Sequence, residues 1–217
     1  MTQGKTLNDV LSGYLPSGCS GLVTEWFGNH RVVLRITRSR RSKLGDFRGG
    51  SSLVHPRITI NHDLNQYSFL ITLIHEMAHA ELFLASGRRL KPHGEQWKST
   101  YRLLSRPFLQ PGLLPDDILQ PFTDYLKNPS ASSTAYAPLA NALRRYDDAS
   151  GKTLVSDLPD EALFALPDGR VFRRGVKLRK RYRCVCLNNK RIYLFSPLAE
   201  ILQVESGNSA SNLPAGF

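Results

Sequence analysis

Apolar side chains recur at helical spacing over much of the first 127 residues. The strongest pattern runs from about residue 66 to 86, where apolar positions surround the few polar ones, and it predicts a largely buried helix. Weaker patterns predict helices over 6–15 and 95–106, with short helices continuing to about residue 127. The first part of the chain is therefore expected to be built mainly on helices.

Two segments in this part follow a different pattern and predict strands. RVVLRIT at 31–37 alternates apolar and polar residues, and RITIN at 57–61 is rich in β-branched residues. Between them, residues 38–51 are basic and rich in glycine and serine, which indicates a connection.

The pattern changes after residue 127. NPSASST at 128–134 is small and polar, as in a linker, and a short helix is predicted near 137–146. From about 162 to 205, short β-type segments are separated by turn signals, which predicts a small meander or barrel. We therefore divide the chain into a first domain (1–127), a linker with a short helix (128–158), a small basic β domain (159–206) and a disordered tail (207–217).

The chain has three cysteines, too few and of the wrong parity for a disulfide framework. In KRYRCVCL, Cys184 and Cys186 share a strand face with Tyr182. A single CxC pair favours core packing over a second zinc site. The polar start lacks a signal peptide, and no apolar run approaches the roughly 18 residues of a membrane span. We expect a soluble, cytoplasmic monomer that does not enter membranes.

The formal charge is +11, which suggests a polyanionic partner. Residues 169–192 contain ten basic and no acidic residues, interleaved with the aromatics Phe172, Tyr182 and Tyr193. Such a face suits phosphate neutralisation and base stacking, so DNA is predicted, with single strands favoured. For the aromatics alone, we favour the alternative that they belong to the core. The predicted DNA contacts are Arg173, Arg174, Lys177, Arg179, Lys180, Arg181 and Arg183, and a second basic cluster comprises Arg38, Arg40, Arg41, Lys43 and Arg48.

The buried helix carries the motif HExxH, from His75 to His79. Residues four apart lie on one helix face, so both imidazoles can reach one zinc ion. Glu76 would lie beside the zinc-bound water and act as general base in peptide hydrolysis.

A catalytic zinc site needs a third protein ligand. Leu82 and Ala85 stand where the metzincin pattern requires Gly and His, so that arrangement is excluded. Farther along, His93 in KPHGEQW lies on a short loop before the next predicted helix, and we favour it as the third ligand. Glu95 is the alternative, because a carboxylate can also ligate zinc.

HEMAHA at 75–80 preceded by TLI, the later HGEQW at 93–97 and the RITIN strand resemble the SprT-like domain, which eukaryotic Spartan proteases contain. The resemblance covers roughly residues 5–127. It implies an α+β, zincin-like metalloprotease domain with one zinc ion on His75, His79 and His93, and Glu76 as base. It also implies proteolysis of proteins crosslinked to DNA. The chain departs from many relatives because it lacks the paired cysteines of a zinc ribbon.

The sequence therefore predicts a zinc metallopeptidase that hydrolyses DNA-bound or DNA-crosslinked proteins. In zincin folds an edge strand can pair with an extended substrate, and RITIN or RVVLRIT could supply that edge. One alternative is a DNA-independent cytosolic peptidase for unfolded protein. Another is a non-catalytic nucleic-acid-binding or regulatory protein.

Overall fold

A computed structural model describes residues 4–40, 43–51, 53–87, 91–132, 135–147, 153–166, 168–197 and 199–203. The chain divides into two compact units, residues 1–148 and 149–217. Each unit has its own hydrophobic core. The predicted disordered tail, 207–217, lies outside the described residues.

The first unit combines helices with a small sheet, which confirms the α+β class. Its described residues form α1 (Leu7–Leu11), α2 (Ser20–Asn29), α3 (Gln66–Ser86), α4 (Glu95–Ser105), a 3-10 turn (Arg106–Leu109), α5 (Asp116–Lys127) and α6 (Ala137–Arg144).

Helix α3 is the centre of this unit, and its predicted extent over 66–86 is confirmed. The side-chain oxygen of Asn65 accepts hydrogen bonds from the N–H groups of Tyr67 and Ser68, which satisfies two of the free donors at the helix start. Gly87, at a φ of 64°, ends the helix in the left-handed conformation that glycine adopts without strain. Most of its middle is buried on every side.

The sheet of the first unit has three strands: β1 (Val33–Thr37), β2 (Gly45–Arg48) and β3 (Arg57–Asn61). The spatial order is β1-β3-β2, with β1 parallel and β2 antiparallel to β3. The prediction of a connection over 38–51 was wrong for β2. Its sequence GDFR begins with glycine and has one apolar residue, so neither alternation nor β-propensity marks it.

Helix α6 packs into the core of the first unit instead of standing in a linker. Leu139, Ala142 and Leu143 lie in that core. The side-chain amide of Asn65 donates to the carbonyl oxygen of Leu143 at 2.9 Å, which ties α6 to the start of α3. The compact unit therefore continues past residue 127, where the sequence analysis places the domain end.

The described residues of the second unit form a six-stranded sheet, in which the first and last strands along the chain lie next to each other. Its core contains Phe164, Phe172, Tyr182, Cys184 and Cys186, so the predicted inward face of KRYRCVCL is confirmed. The strands are β4 (Thr153–Leu154), β5 (Leu163–Ala165), β6 (Val171–Lys177), β7 (Tyr182–Cys186), β8 (Ile192–Phe195) and β9 (Glu200–Gln203), and a 3-10 turn covers Val155–Asp157.

By length and hydropathy alone, α3 could cross a membrane. However, 56% of its most apolar 18-residue window is buried inside the protein, as expected for a core helix. This single helix is therefore weak support for a membrane span.

Candidate metal centre and active site

Three imidazole rings converge on one point in the first unit. The Nε2 atom of His93 lies 3.1 Å from Nε2 of His79 and 3.2 Å from Nε2 of His75. A tetrahedral zinc ion with Zn–N bonds of about 2.0–2.1 Å places its ligand nitrogens about 3.3 Å apart. Among the described residues, this is the one group of three or more potential ligands that could hold a metal.

Local structure explains how the three histidines meet. His75 and His79 are one turn apart on α3, so their rings project from the same face. His93 reaches the same point from the loop before α4, and its φ of 56° is unusual for a residue with a side chain. Strained backbone of this kind is concentrated at functional sites.

A buried aromatic pair packs against the histidines. The ring of Trp97, on α4, lies 4.6 Å from the ring of His75, 5.3 Å from that of His79 and 4.7 Å from that of His93. Tyr101 stacks on Trp97 with the two ring centroids 4.9 Å apart, and both side chains are fully buried. The sequence motif alone does not indicate this packing. Trp97 restricts the rotation of all three imidazoles through these contacts.

Two of the three imidazoles lie in surroundings that favour their neutral form. Burial, reinforced by the nearby His79 and His93, lowers the pKa of His75 to about 3. Burial also lowers the pKa of His93. A neutral imidazole has a free lone pair for a metal, so His75 and His93 can ligate a metal ion at neutral pH.

Glu76 is buried beside the histidines and is held by β2. Burial, with the negative charge of Asp46, raises the pKa of its carboxyl group to about 8, although a hydrogen bond from the backbone N–H of Phe47 opposes this shift. A cation next to the carboxylate would lower this pKa again. The site thus holds a general-base candidate whose proton affinity is tuned by its surroundings.

Gly45 lets β2 approach α3 this closely. A Cβ atom at Gly45 would lie 2.8 Å from Cγ2 of Thr72 and 2.9 Å from Cγ and Oε1 of Glu76. This contribution of Gly45 is not predicted from the sequence, because residues 38–51 are predicted to form a connection instead of a strand. The glycine preceding Asp46 and Phe47 is the only sequence signal of a close approach.

The histidines and Glu76 open into a cleft of about 560 Å³. That volume is within the range of typical ligand sites. Its walls come from β2 and the following glycine, from α3, from the loop that carries His93, and from one residue after α5. The remaining lining residues are Gly45, Asp46, Phe47, Arg48, Gly49, Leu82, Phe83, Lys91, Pro92 and Ala131.

Glu95, the alternative third ligand, is not part of the histidine group. Its side chain is 74% exposed and pairs with Arg102 at 3.2 Å. The geometry therefore brings His93 to His75 and His79 and leaves Glu95 at the surface.

The cationic residues of the second unit separate into two classes. Arg174 is buried: its guanidinium lies 4.1 Å above the ring of Tyr182, donates to the carbonyl oxygen of Val155 and pairs with Asp160. The prediction that Arg174 contacts DNA is therefore wrong. The other six predicted contacts are exposed, namely Arg173, Lys177, Arg179, Lys180, Arg181 and Arg183.

The aromatics that suggested base stacking lie mostly in the core. Phe172 and Tyr182 are buried and Tyr193 is half-buried against them, so the alternative interpretation of these rings is confirmed. In the second basic cluster, Arg40 donates to Asn61 and Thr59, and Arg41 lies outside the described residues.

Comparison with known proteins gives one family. Residues 22–113 match the sequence model of the SprT-like family. No curated protein and no solved structure matches the chain.

Proposed function

We propose that this chain, whose residues 22–113 match the SprT-like family model, is a zinc-dependent metallopeptidase with a zincin-like site. The observation that carries the proposal is the position of His93, whose Nε2 lies 3.1 Å from that of His79 and 3.2 Å from that of His75, beside a buried glutamate. Those spacings fit zinc, and the cleft gives a substrate access to them.

The residues of the site suggest separate roles in peptide hydrolysis. His75, His79 and His93 would hold the one zinc ion, and a zinc ion there would supply a Lewis acid that polarises a carbonyl group and acidifies water. Glu76, fixed by the N–H of Phe47, takes the proton of the attacking water and delivers it to the leaving amine. Trp97 keeps the imidazoles oriented throughout.

The proposed substrate is an extended polypeptide segment that pairs with a strand edge. RITIN is excluded as that edge because β3 is central in the sheet. Among the described residues β1 and β2 are both edge strands of the sheet, and β2 is the one that lines the cleft beside Glu76. Pairing with β2 would align a scissile carbonyl through main-chain hydrogen bonds and would demand little of the substrate's sequence.

We further propose a cytoplasmic monomer that acts on DNA-bound or DNA-crosslinked protein. Support comes from the net charge of +11 and from the six exposed cations of the second unit. Because the aromatics of this unit are mostly in its core, stacking gives no reason to prefer single strands. Contacts would be made to phosphates, which both strand forms present.

A second candidate function is a DNA-independent peptidase for unfolded protein. The observation that favours it is the placement of Arg174 and the aromatics in the core, which removes part of the predicted DNA surface. A non-catalytic binding protein is the less favoured alternative, because a site without catalytic activity does not require the general base that Glu76 provides.

The test is cleavage of a DNA-binding protein by the zinc-loaded enzyme, with no DNA, with single-stranded DNA and with duplex DNA. Glu76→Gln, which keeps all three histidines, is the matched control. We expect cleavage by the wild type only, accelerated by DNA. Equal cleavage without DNA would support the second candidate, and intact substrate with wild-type enzyme that binds both zinc and DNA would support a binding protein.

A further inference from the structure

The segment 128–132, NPSAS, has the composition of a linker, yet it reaches the active-site cleft. Ala131 lines the same cleft as Glu76 and the three histidines. The other lining residues come from β2, α3 and the loop of His93, so Ala131 is the one contribution from beyond α4 among the described residues. This segment is therefore part of the cleft wall.

Specific contacts fix the segment in place. The hydroxyl of Tyr125 donates to the carbonyl oxygen of Ser130 at 2.7 Å and accepts from the N–H of Ser130 at 3.2 Å. Pro129 is buried, and Nζ of Lys98 donates to Oδ1 of Asn128 at 2.7 Å. Because both backbone groups of Ser130 are hydrogen-bonded, the segment forms a fixed part of the cleft wall.

The same contacts tie this wall to the histidine group. Helix α4 follows directly on His93 and carries both Trp97 and Lys98. Arg102 of α4 donates to the carbonyl oxygens of Leu126 and Lys127 at the end of α5, just before the segment. The wall is thus positioned by the helix that supports the third histidine.

We propose that Ala131 is a specificity-determining residue that sets the size of substrate side chain accepted at one subsite. This inference rests on the proposed peptidase function. The exposed methyl side chain of Ala131 offers a substrate neither a charge nor a hydrogen bond, so this side chain acts through its volume. The substrate class is an extended polypeptide with a large side chain at the position next to Ala131.

The experiment compares Ala131→Trp and Ala131→Gly with the wild type, all zinc-loaded, on an unfolded protein whose cleavage sites are mapped. Ala137→Trp is the matched control, because Ala137 is also exposed and does not line the cleft. Zinc content and thermal unfolding are measured for each protein, so that a folding defect is recognised.

We expect Ala131→Trp to keep its zinc and to lose about tenfold or more in kcat/KM, the scale of steric discrimination in a pocket. Its remaining cleavage sites should carry Gly or Ala at one fixed distance from the scissile bond, and Ala131→Gly should accept larger residues there. Unchanged rates and sites in Ala131→Trp would overturn this inference alone. An inactive zinc-loaded wild type would overturn the proposed function, and the inference with it.

Discussion

Glu76 is the residue whose surroundings most strongly determine what the site can do. Its carboxyl group is buried and lies near the negative charge of Asp46. These surroundings favour the protonated form until a cation is bound nearby. The protonation state of Glu76, the proposed general base, therefore depends on whether a metal ion is bound beside it.

This burial predicts a pH-dependent stability difference in the metal-free protein. Folded Glu76 keeps its proton up to a pKa of about 8, whereas the ordinary pKa of a glutamate is 4.5. A raised carboxyl pKa stabilises the fold at low pH, and this contribution is lost as the pH rises through that window, at roughly 1.4 kcal/mol per pKa unit. Glu76→Gln should therefore gain stability over the wild type as pH increases.

Urea unfolding of both metal-free proteins at about pH 5 and about pH 8.5 measures this difference. The titration of His75 is common to both proteins and cancels in the comparison. A stability difference that is the same at both pH values would contradict the account of Glu76.

Gly45 gives a second prediction at this scale. Gly45→Ala places a methyl group 2.9 Å from the Glu76 side chain, so either β2 or the carboxylate must move. We expect a loss of about 1–3 kcal/mol in stability from overpacking, and at least a tenfold lower kcat/KM with normal zinc content. Gly28→Ala, where a Cβ meets nothing within 4 Å, is the control for a glycine change as such. Full activity in Gly45→Ala would refute the positioning role.

Among the elements, α3 was predictable and β2 was not, for physical reasons. Apolar residues occupy most positions around α3 from Phe69 to Met77, and capping residues stand at both ends of the helix. β2 owes its existence to pairing with β3 and to packing on α3, neither of which leaves a mark in GDFR. Likewise, the NPSAS segment is ordered by a hydrogen bond from the hydroxyl of Tyr125, a contact that the composition of the segment does not reveal.

The start of α3 provides a prediction for the elements. Asn65 caps the helix with its oxygen and donates its amide to the carbonyl oxygen of Leu143 and to Asp147. Asn65→Ala removes both functions and should cost about 1–2 kcal/mol in unfolding free energy. Asn65→Asp keeps the cap but loses the amide donor and faces Asp147.

Chemical denaturation should place Asn65→Asp below the wild type, because the cap remains while a carboxyl group replaces the amide donor that contacted Asp147. Wild-type stability for Asn65→Ala would mean that the link between α3 and α6 contributes little.

For the molecule as a whole, the sequence indicates two units, of which the second is basic. The prediction of which basic residues are exposed was wrong in part. Phe172 and Arg174 are two residues apart on β6 and therefore share its inward face. That alternation was available in the sequence, yet counting charge alone assigned Arg174 to the surface. The cation is buried because Tyr182, Val155 and Asp160 give its guanidinium partners.

The exposed cations that remain predict a salt-dependent interaction with DNA. Replacing Arg179, Lys180 and Arg181 with Gln should weaken binding to single and double strands alike and reduce the salt slope by about 1 for each phosphate that is no longer neutralised. The control replaces Lys5, Arg31 and Arg35, which are exposed cations of the first unit, and so removes the same net charge. Equally weakened binding in both triple variants would indicate a general charge effect instead of a defined surface.

The central claim is that three histidines and Glu76 together make a zinc-dependent peptidase, and stoichiometric zinc titration tests it most directly. Metal-free protein is given increasing zinc while hydrolysis of an unfolded protein is followed, for the wild type and for Glu76→Gln. We predict that wild-type activity rises until one zinc ion is bound per chain, and that Glu76→Gln binds the same zinc without activity. Wild-type protein that binds one zinc ion and hydrolyses nothing, or equal hydrolysis by both proteins, would contradict the account.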